Sequence, residues 1–219
     1  MMEAIERTVP TNDWITLIFV LSLLLLVFAR AFFLSRFQNF MILPFNNKYI
    51  FLYNKKGRLT HGFHVALSLF MYLNLSLFTL FTASVLFDKQ ISPGGSFLLV
   101  SGGALFVYFL LKIGMQLAGG LILEFSKITS SLVFKKMTYL NYSALVMFIA
   151  NLLLGYVTKD SKIIVFASIS LILLINSIGW ISILKIHQKL IASHLFYFIL
   201  YLCTLEFAPF LIIANLLND

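Results

Sequence analysis

Charge is what this chain has least of. Of its 219 residues, 11% are Asp, Glu, Lys or Arg and 61% are hydrophobic. A soluble domain carries about 25% charged residues, so there is too little polar surface here to coat a water-soluble globule. Acids are scarcer still, eight against sixteen Lys and Arg, which leaves a net charge of +8. The single cysteine, Cys203, excludes an intramolecular disulfide and a cysteine-based metal cluster. Catalytic signatures are missing too: there is no G-x-S-x-G, no P-loop, no H-E-x-x-H and no dinucleotide glycine motif. Apart from Glu3 and Glu6 the acids stand singly, so no loop between apolar runs holds two that could share acid–base work. These absences argue against soluble-substrate chemistry, and no cofactor or metal is expected.

What the chain has in abundance is long apolar runs, with a mean hydropathy of +0.98. A helix needs roughly 20 apolar residues to cross the hydrocarbon of a bilayer. Six windows qualify: Trp14–Ser35, Gly62–Phe87, Ser96–Leu123, Thr138–Thr158, Lys162–Leu184 and His194–Leu216. In lipid a spanning segment must satisfy its backbone internally, so these are helices. The expected fold is all-α, a polytopic transmembrane bundle of about six helices forming one membrane domain over residues 1–219. The first window has the length of a signal peptide. However, the residues before it are of mixed charge (Glu3, Glu6, Arg7, Asp13) and no small-x-small site follows, so it reads as a membrane anchor.

The breaks between windows carry the polarity. Asp88–Gly95 and Thr158–Lys162 are short turns. The longest gap, 36–61, mixes Phe37, Phe40, Tyr49, Phe51 and Tyr53 with basic residues and Pro44, which suits either a segment lying in the membrane interface or a loop packed under the bundle. On one side of the membrane the loops hold Arg36, Lys48, Lys55, Lys56, Arg58, Lys127, Lys135, Lys136, Lys185 and Lys189. The other side holds Arg7, Lys89, Lys159 and Lys162. The richer side is expected to be cytoplasmic, with both termini periplasmic. The clustering of base in these loops points to anionic lipid rather than nucleic acid as its partner.

Function in such a chain sits where polarity enters an apolar run. Lys112 and Glu206 each lie twelve residues from the expected cytoplasmic end of their windows, about 18 Å deep. Equal depth permits an intramembrane ion pair, read either as an ion-responsive site or as a structural lock. Alone, either charge would cost at least about 2.5–3.5 kcal/mol. Pro209, three residues after Glu206, frees a carbonyl one turn earlier and kinks the helix. In the second window His61, His64, Ser68, Tyr72, Ser76 and Thr79 follow one another at steps of three or four, a polar stripe that suits a hydrated path or a helix–helix interface. Tyr108, Lys112 and Gln116 repeat the pattern in the third window, where Gly114 and Ala118 offer a small-residue surface. All four histidines (His61, His64, His187, His194) fall on the expected cytoplasmic side, and His61 and His64 lack a third ligand at metal-binding spacing. Arg30, six residues before Arg36, reaches for the interface.

The last window contains the string LYLCTLE, Leu200 to Glu206, with Pro209 three residues beyond. This resembles the C-terminal signature of an uncharacterised membrane-protein family of Bacteroidota, a domain of unknown function, and the Lys112 helix looks similar too. The resemblance implies a multi-pass location in the inner membrane of a Gram-negative bacterium and supplies no activity. The expected role is a non-enzymatic subunit or accessory of an inner-membrane envelope complex, by analogy with secretion and motility machinery, whose partners are the bilayer and other membrane subunits. Two alternatives stand beside it: a proton- or ion-coupled carrier or channel component using Glu206 and Lys112, and a lipid-modifying or haem-binding membrane enzyme.

Overall fold

The computed structural model describes residues 13–46, 48–54, 61–87, 95–122, 126–158 and 161–186. Among these every regular element is a helix: α1 (Asp13–Phe32), α2 (Leu34–Met41), α3 (Lys48–Asn54), α4 (Gly62–Phe87), α5 (Gly95–Ile122), α6 (Ser126–Leu152, continued by a π-helical turn, Leu153–Val157) and α7 (Lys162–Ile186). Four described segments are long and apolar enough to cross a membrane: Asp13–Phe32, Gly62–Leu86, Thr129–Val157 and Lys162–Ser182. A shorter apolar stretch, Gly102–Ala118, lies in α5. The chain is a helical membrane protein. The expected sixth window, with Glu206, Pro209 and His194, lies outside the described residues, as does His187.

Polarity is arranged for lipid as the surrounding solvent. The outer faces of α1 and α7 expose Leu17, Val20, Leu24 and Val27, and Phe166, Leu173, Leu174 and Ile181. Buried instead are Ser22, His64, Asn74, Asn141, Ser143, Asn151 and Ser168. Outside a bilayer this distribution would be costly on both counts, because apolar surface would meet water while polar groups were taken out of it. The central pair is α4 and α6: about half of the residues in the apolar stretch of each are buried, against about a fifth in α1 and α7.

Three hydrogen bonds, two between side chains and one from a side chain to a backbone carbonyl, fix how these helices align. His64–Asn141, Asn74–Asn151 and Asn54–Ser131 each join residues 77 apart in sequence. A constant offset means that the segments run parallel and in register. The partners of α7 run the other way: Asn176 bonds Ser143, while Gly179, further along α7, meets Tyr139, earlier on α6. The beginning of α1 meets the end of α6, where Thr16 and Tyr156 share a 2.8 Å hydrogen bond. The end of α1 and the starts of α4 and α6 therefore lie at one end of the bundle, where α2 and α3 also sit.

One expectation changes. The stretch 124–137 reads as a loop because Lys127, Lys135 and Lys136 dilute its apolar character, yet α6 begins at Ser126 and carries all three. The early turns of α6 are held by tertiary contacts. Asn54 on α3 donates to Ser131 at 2.6 Å, and Lys136 lies 5.6 Å above the Trp180 ring of α7. Lys135 is therefore not a loop charge; it is 1% exposed inside a membrane-spanning segment. The gap 36–61, expected as an interfacial segment or a loop packed under the bundle, is helical over much of its described part. Its described residues form α2, α3 and the turn between them, which bury Phe37, Phe40, Leu43, Tyr49 and Ile50 under the bundle while exposing Met41, Ile42, Phe45, Phe51 and Leu52.

Close approach of α6 and α7 depends on Gly179. A Cβ there would stand 2.7 Å from Cγ and Cδ2 of the Tyr139 ring, closer than packed atoms allow. Gly179→Ala should lower stability by about 1–3 kcal/mol, the usual cost of overpacking. Gly103→Ala, where nothing lies within 4 Å, should leave the unfolding temperature in detergent unchanged. Equal melting of both variants would refute this role for Gly179.

Candidate functional site

The densest concentration of polar groups lies between α4 and α6. His64 and Ser68 occupy successive turns of α4, and Thr138 and Asn141 face them from α6. The Asn141 amide nitrogen donates to His64 Nδ1 at 3.2 Å and to Ser68 Oγ at 3.3 Å. An amide nitrogen can only donate, so Nδ1 accepts and the ring proton sits on Nε2. From there it points to Thr138 Oγ1 at 3.3 Å, and the Thr138 hydroxyl donates to the Phe134 carbonyl at 2.7 Å. The result is a directed chain from amide to imidazole to hydroxyl to backbone, built from neutral groups. Phe134 closes its outer end, edge-on to His64 with ring centroids 4.9 Å apart and stacked on Tyr49.

Ten residues further along both helices, about 15 Å, the Asn151 side-chain amide donates to the Asn74 backbone carbonyl at 2.9 Å, and the Asn74 side-chain amide donates to Phe70 O at 2.8 Å. Both asparagines are fully buried. The amide oxygens of Asn74, Asn141 and Asn151 have no hydrogen-bond partner among the described residues. An unsatisfied buried acceptor costs about 1–3 kcal/mol, so these oxygens are the least settled groups in the seam.

The stripe on α4 divides. Each four-residue step overshoots one turn by about 40°, so the run from His64 through Ser68 and Tyr72 to Ser76 swings about 120° around the helix. His64 and Ser68 consequently face α6, while the Tyr72 hydroxyl donates to the Gly102 carbonyl on α5. Ser76 and Thr79 turn back to their own helix, bonding Leu73 O and Ser76 O. His61 sits at the helix start, where its Nδ1 accepts the Phe63 N–H at 3.3 Å. His61 and His64 thus point to different partners, and no group of three metal-ligating side chains exists among the described residues.

On α5 Lys112 is half-buried, and its Nζ donates to the Tyr108 hydroxyl at 3.0 Å, one turn earlier. Gln116 is buried, whereas Gly114 and Ala118 are exposed. Glu206 and Pro209 lie outside the described residues, so the intramembrane charge pair stays an expectation. Sequence reasoning placed Lys135 in a loop and overlooked the asparagines Asn74, Asn141, Asn151 and Asn176. The signal for the asparagines was present: an Asn within an apolar run carries two donors and an acceptor that lipid cannot satisfy.

Two measurements test this geometry. A double-mutant cycle between His64→Leu and Asn141→Leu should return a coupling of about 0.6 kcal/mol, with about 1.7 as the upper end for buried bonds in membrane bundles; additive losses would mean that the contact carries no energy. At the bundle end, burial and the nearby Arg36 guanidinium hold His61 below the usual imidazole value of 6.5. Folding then favours its neutral form. That stabilisation is complete above about pH 6.5 and is lost as pH falls through the lowered value. Imidazole resonances in detergent should titrate below 6.5, and Arg36→Gln should move the midpoint upward.

No curated protein and no solved structure matches this chain. One family model does, across residues 15–217 and so across all four spans, the polar seam and Lys112. The chain belongs to the family described as a domain of unknown function, DUF4271.

Proposed function

We propose that this protein is a non-enzymatic subunit or accessory of an envelope complex in the inner membrane of a Gram-negative bacterium, with its base-rich end cytoplasmic. The observation that carries this reading is the use made of polarity in the central pair. His64, Ser68, Thr138 and Asn141 bond to one another or to backbone, as Asn74 and Asn151 do further along. Groups used in this way fasten helices and specify their register. Around this fastened centre α1, α5 and α7 present apolar faces, such as Val107, Leu110 and Leu111 on α5, that lipid or a neighbouring membrane subunit can cover. Secretion and motility machines of the bacterial envelope use small all-membrane subunits of this kind, and that link is one of analogy.

A second reading, an ion-coupled carrier or channel component, draws support from Lys135, a fully buried lysine inside a span, and from the three amide oxygens that have no hydrogen-bond partner among the described residues. Glu206 and Lys112 would be its further members.

Purification in mild detergent separates the two. A partner retained at fixed stoichiometry is the expected result, and a lone particle that retains activity in reconstituted vesicles would overturn the subunit reading. In cells, Lys112→Met combined with Glu206→Gln should leave function largely intact, because both charges are removed together. Abolished function with normal protein levels would favour the carrier.

A further inference from the structure

We infer that the elbow between α1 and α2 is a binding site for the headgroup of an anionic phospholipid. A groove of about 450 Å³ opens there, lined by Arg30, Leu34, Phe37, Gln38, Met41 and Ile42. Its position suits a lipid. Arg30 stands in the last turn of a membrane-spanning helix, and α2 leaves that helix one residue after its end. The walls are apolar and open: Leu34, Met41 and Ile42 are all exposed, whereas Phe37 turns into the bundle and floors the groove.

Charge complementarity identifies the occupant. Arg30 is exposed, and Asp13 is the only acid among the described residues. Asp13 lies at the far end of the same helix, about 25 Å away, and so cannot neutralise it. The neighbouring cation is already engaged, since Arg36 places its guanidinium 4.6 Å from the Tyr53 ring centroid. A guanidinium at this depth meets phosphates, and its planar fork matches two phosphate oxygens at once. The exposed Gln38 amide offers a further donor to the phosphate or the glycerol ester. The first methylenes of an acyl chain would then lie along Leu34, Met41 and Ile42. A free phosphate would satisfy Arg30 but leave those walls bare, and a zwitterionic lipid would bring its own cation to the site.

Native mass spectrometry of the full chain tests the assignment, using phosphatidylglycerol and phosphatidylcholine as probes. Phosphatidylglycerol should be retained about tenfold more strongly, and Arg30→Gln should remove most of that preference, the size expected for one charge-assisted contact. Arg30→Lys should retain part of it. Gln38→Leu should weaken phosphatidylglycerol a few-fold without disturbing elution of the protein, and Arg36→Gln should leave binding unchanged. Millimolar inorganic phosphate should not displace the lipid. Equal retention of the two lipids, full binding by Arg30→Gln, equal loss in Arg36→Gln, or displacement by free phosphate would each overturn the proposal.

Discussion

The hydrogen bond from Asn141 to His64 is the contact on which the bundle's centre depends. In water such a bond contributes little, because each partner exchanges one set of hydrogen bonds for another. In hydrocarbon the alternative is an amide and an imidazole with no partner, so mispaired helices carry a penalty that paired ones do not. With lipid tails as apolar as leucine, hydrophobicity supplies no preference for one helix neighbour over another. The seam of His64, Ser68, Thr138 and Asn141 supplies that preference for α4 and α6, and the Asn74–Asn151 bridge repeats it deeper in the pair. Around this pair the other helices add single bonds, such as Asn176 to Ser143 and Tyr72 to the Gly102 carbonyl, and close packing of the kind Gly179 allows against Tyr139.

The membrane class of the fold was plain in the sequence because apolar length is a strong and local signal. Asp13–Phe32, Gly62–Phe87 and Lys162–Ile186 fall close to the windows that hydropathy marks out. The start of α6 was not legible for a physical reason. Hydropathy measures what faces lipid, whereas the first turns of α6 are held by protein, through Ser131 against Asn54 and Lys136 against Trp180. The same holds for α2 and α3. Their mixture of aromatic and basic residues signalled an interface, but which side chains would turn inward depended on the nest formed by Phe40, Tyr49, Phe63 and Phe134.

The polar site was legible in part. Spacing placed His64 and Ser68 on adjacent turns, and the structure brings both to α6. Spacing alone could not say where a six-residue stripe would end, because the drift of four-residue steps carries Tyr72 to another neighbour. The partners Thr138 and Asn141 could not be assigned either, since pairing across helices depends on which helices touch. Lys135 shows the same limit. A dibasic pair reads as a loop signal until tertiary structure separates its members, one buried and one lying across an indole.

The constant 77-residue offset between bonded partners also bears on how such a chain can change length through descent. Insertions between Phe87 and Ser126 alter the offset itself but not the phase of either helix, so His64 can still find Asn141, and Asn74 can still find Asn151. A single residue added between His64 and Asn74 rotates everything beyond it by about 100° and parts one bridge from the other unless α6 gains a residue over the matching interval. Relatives of this chain should therefore vary freely in the α4–α5 and α5–α6 connections, while the ten-residue intervals on α4 and α6 lengthen or shorten only in concert.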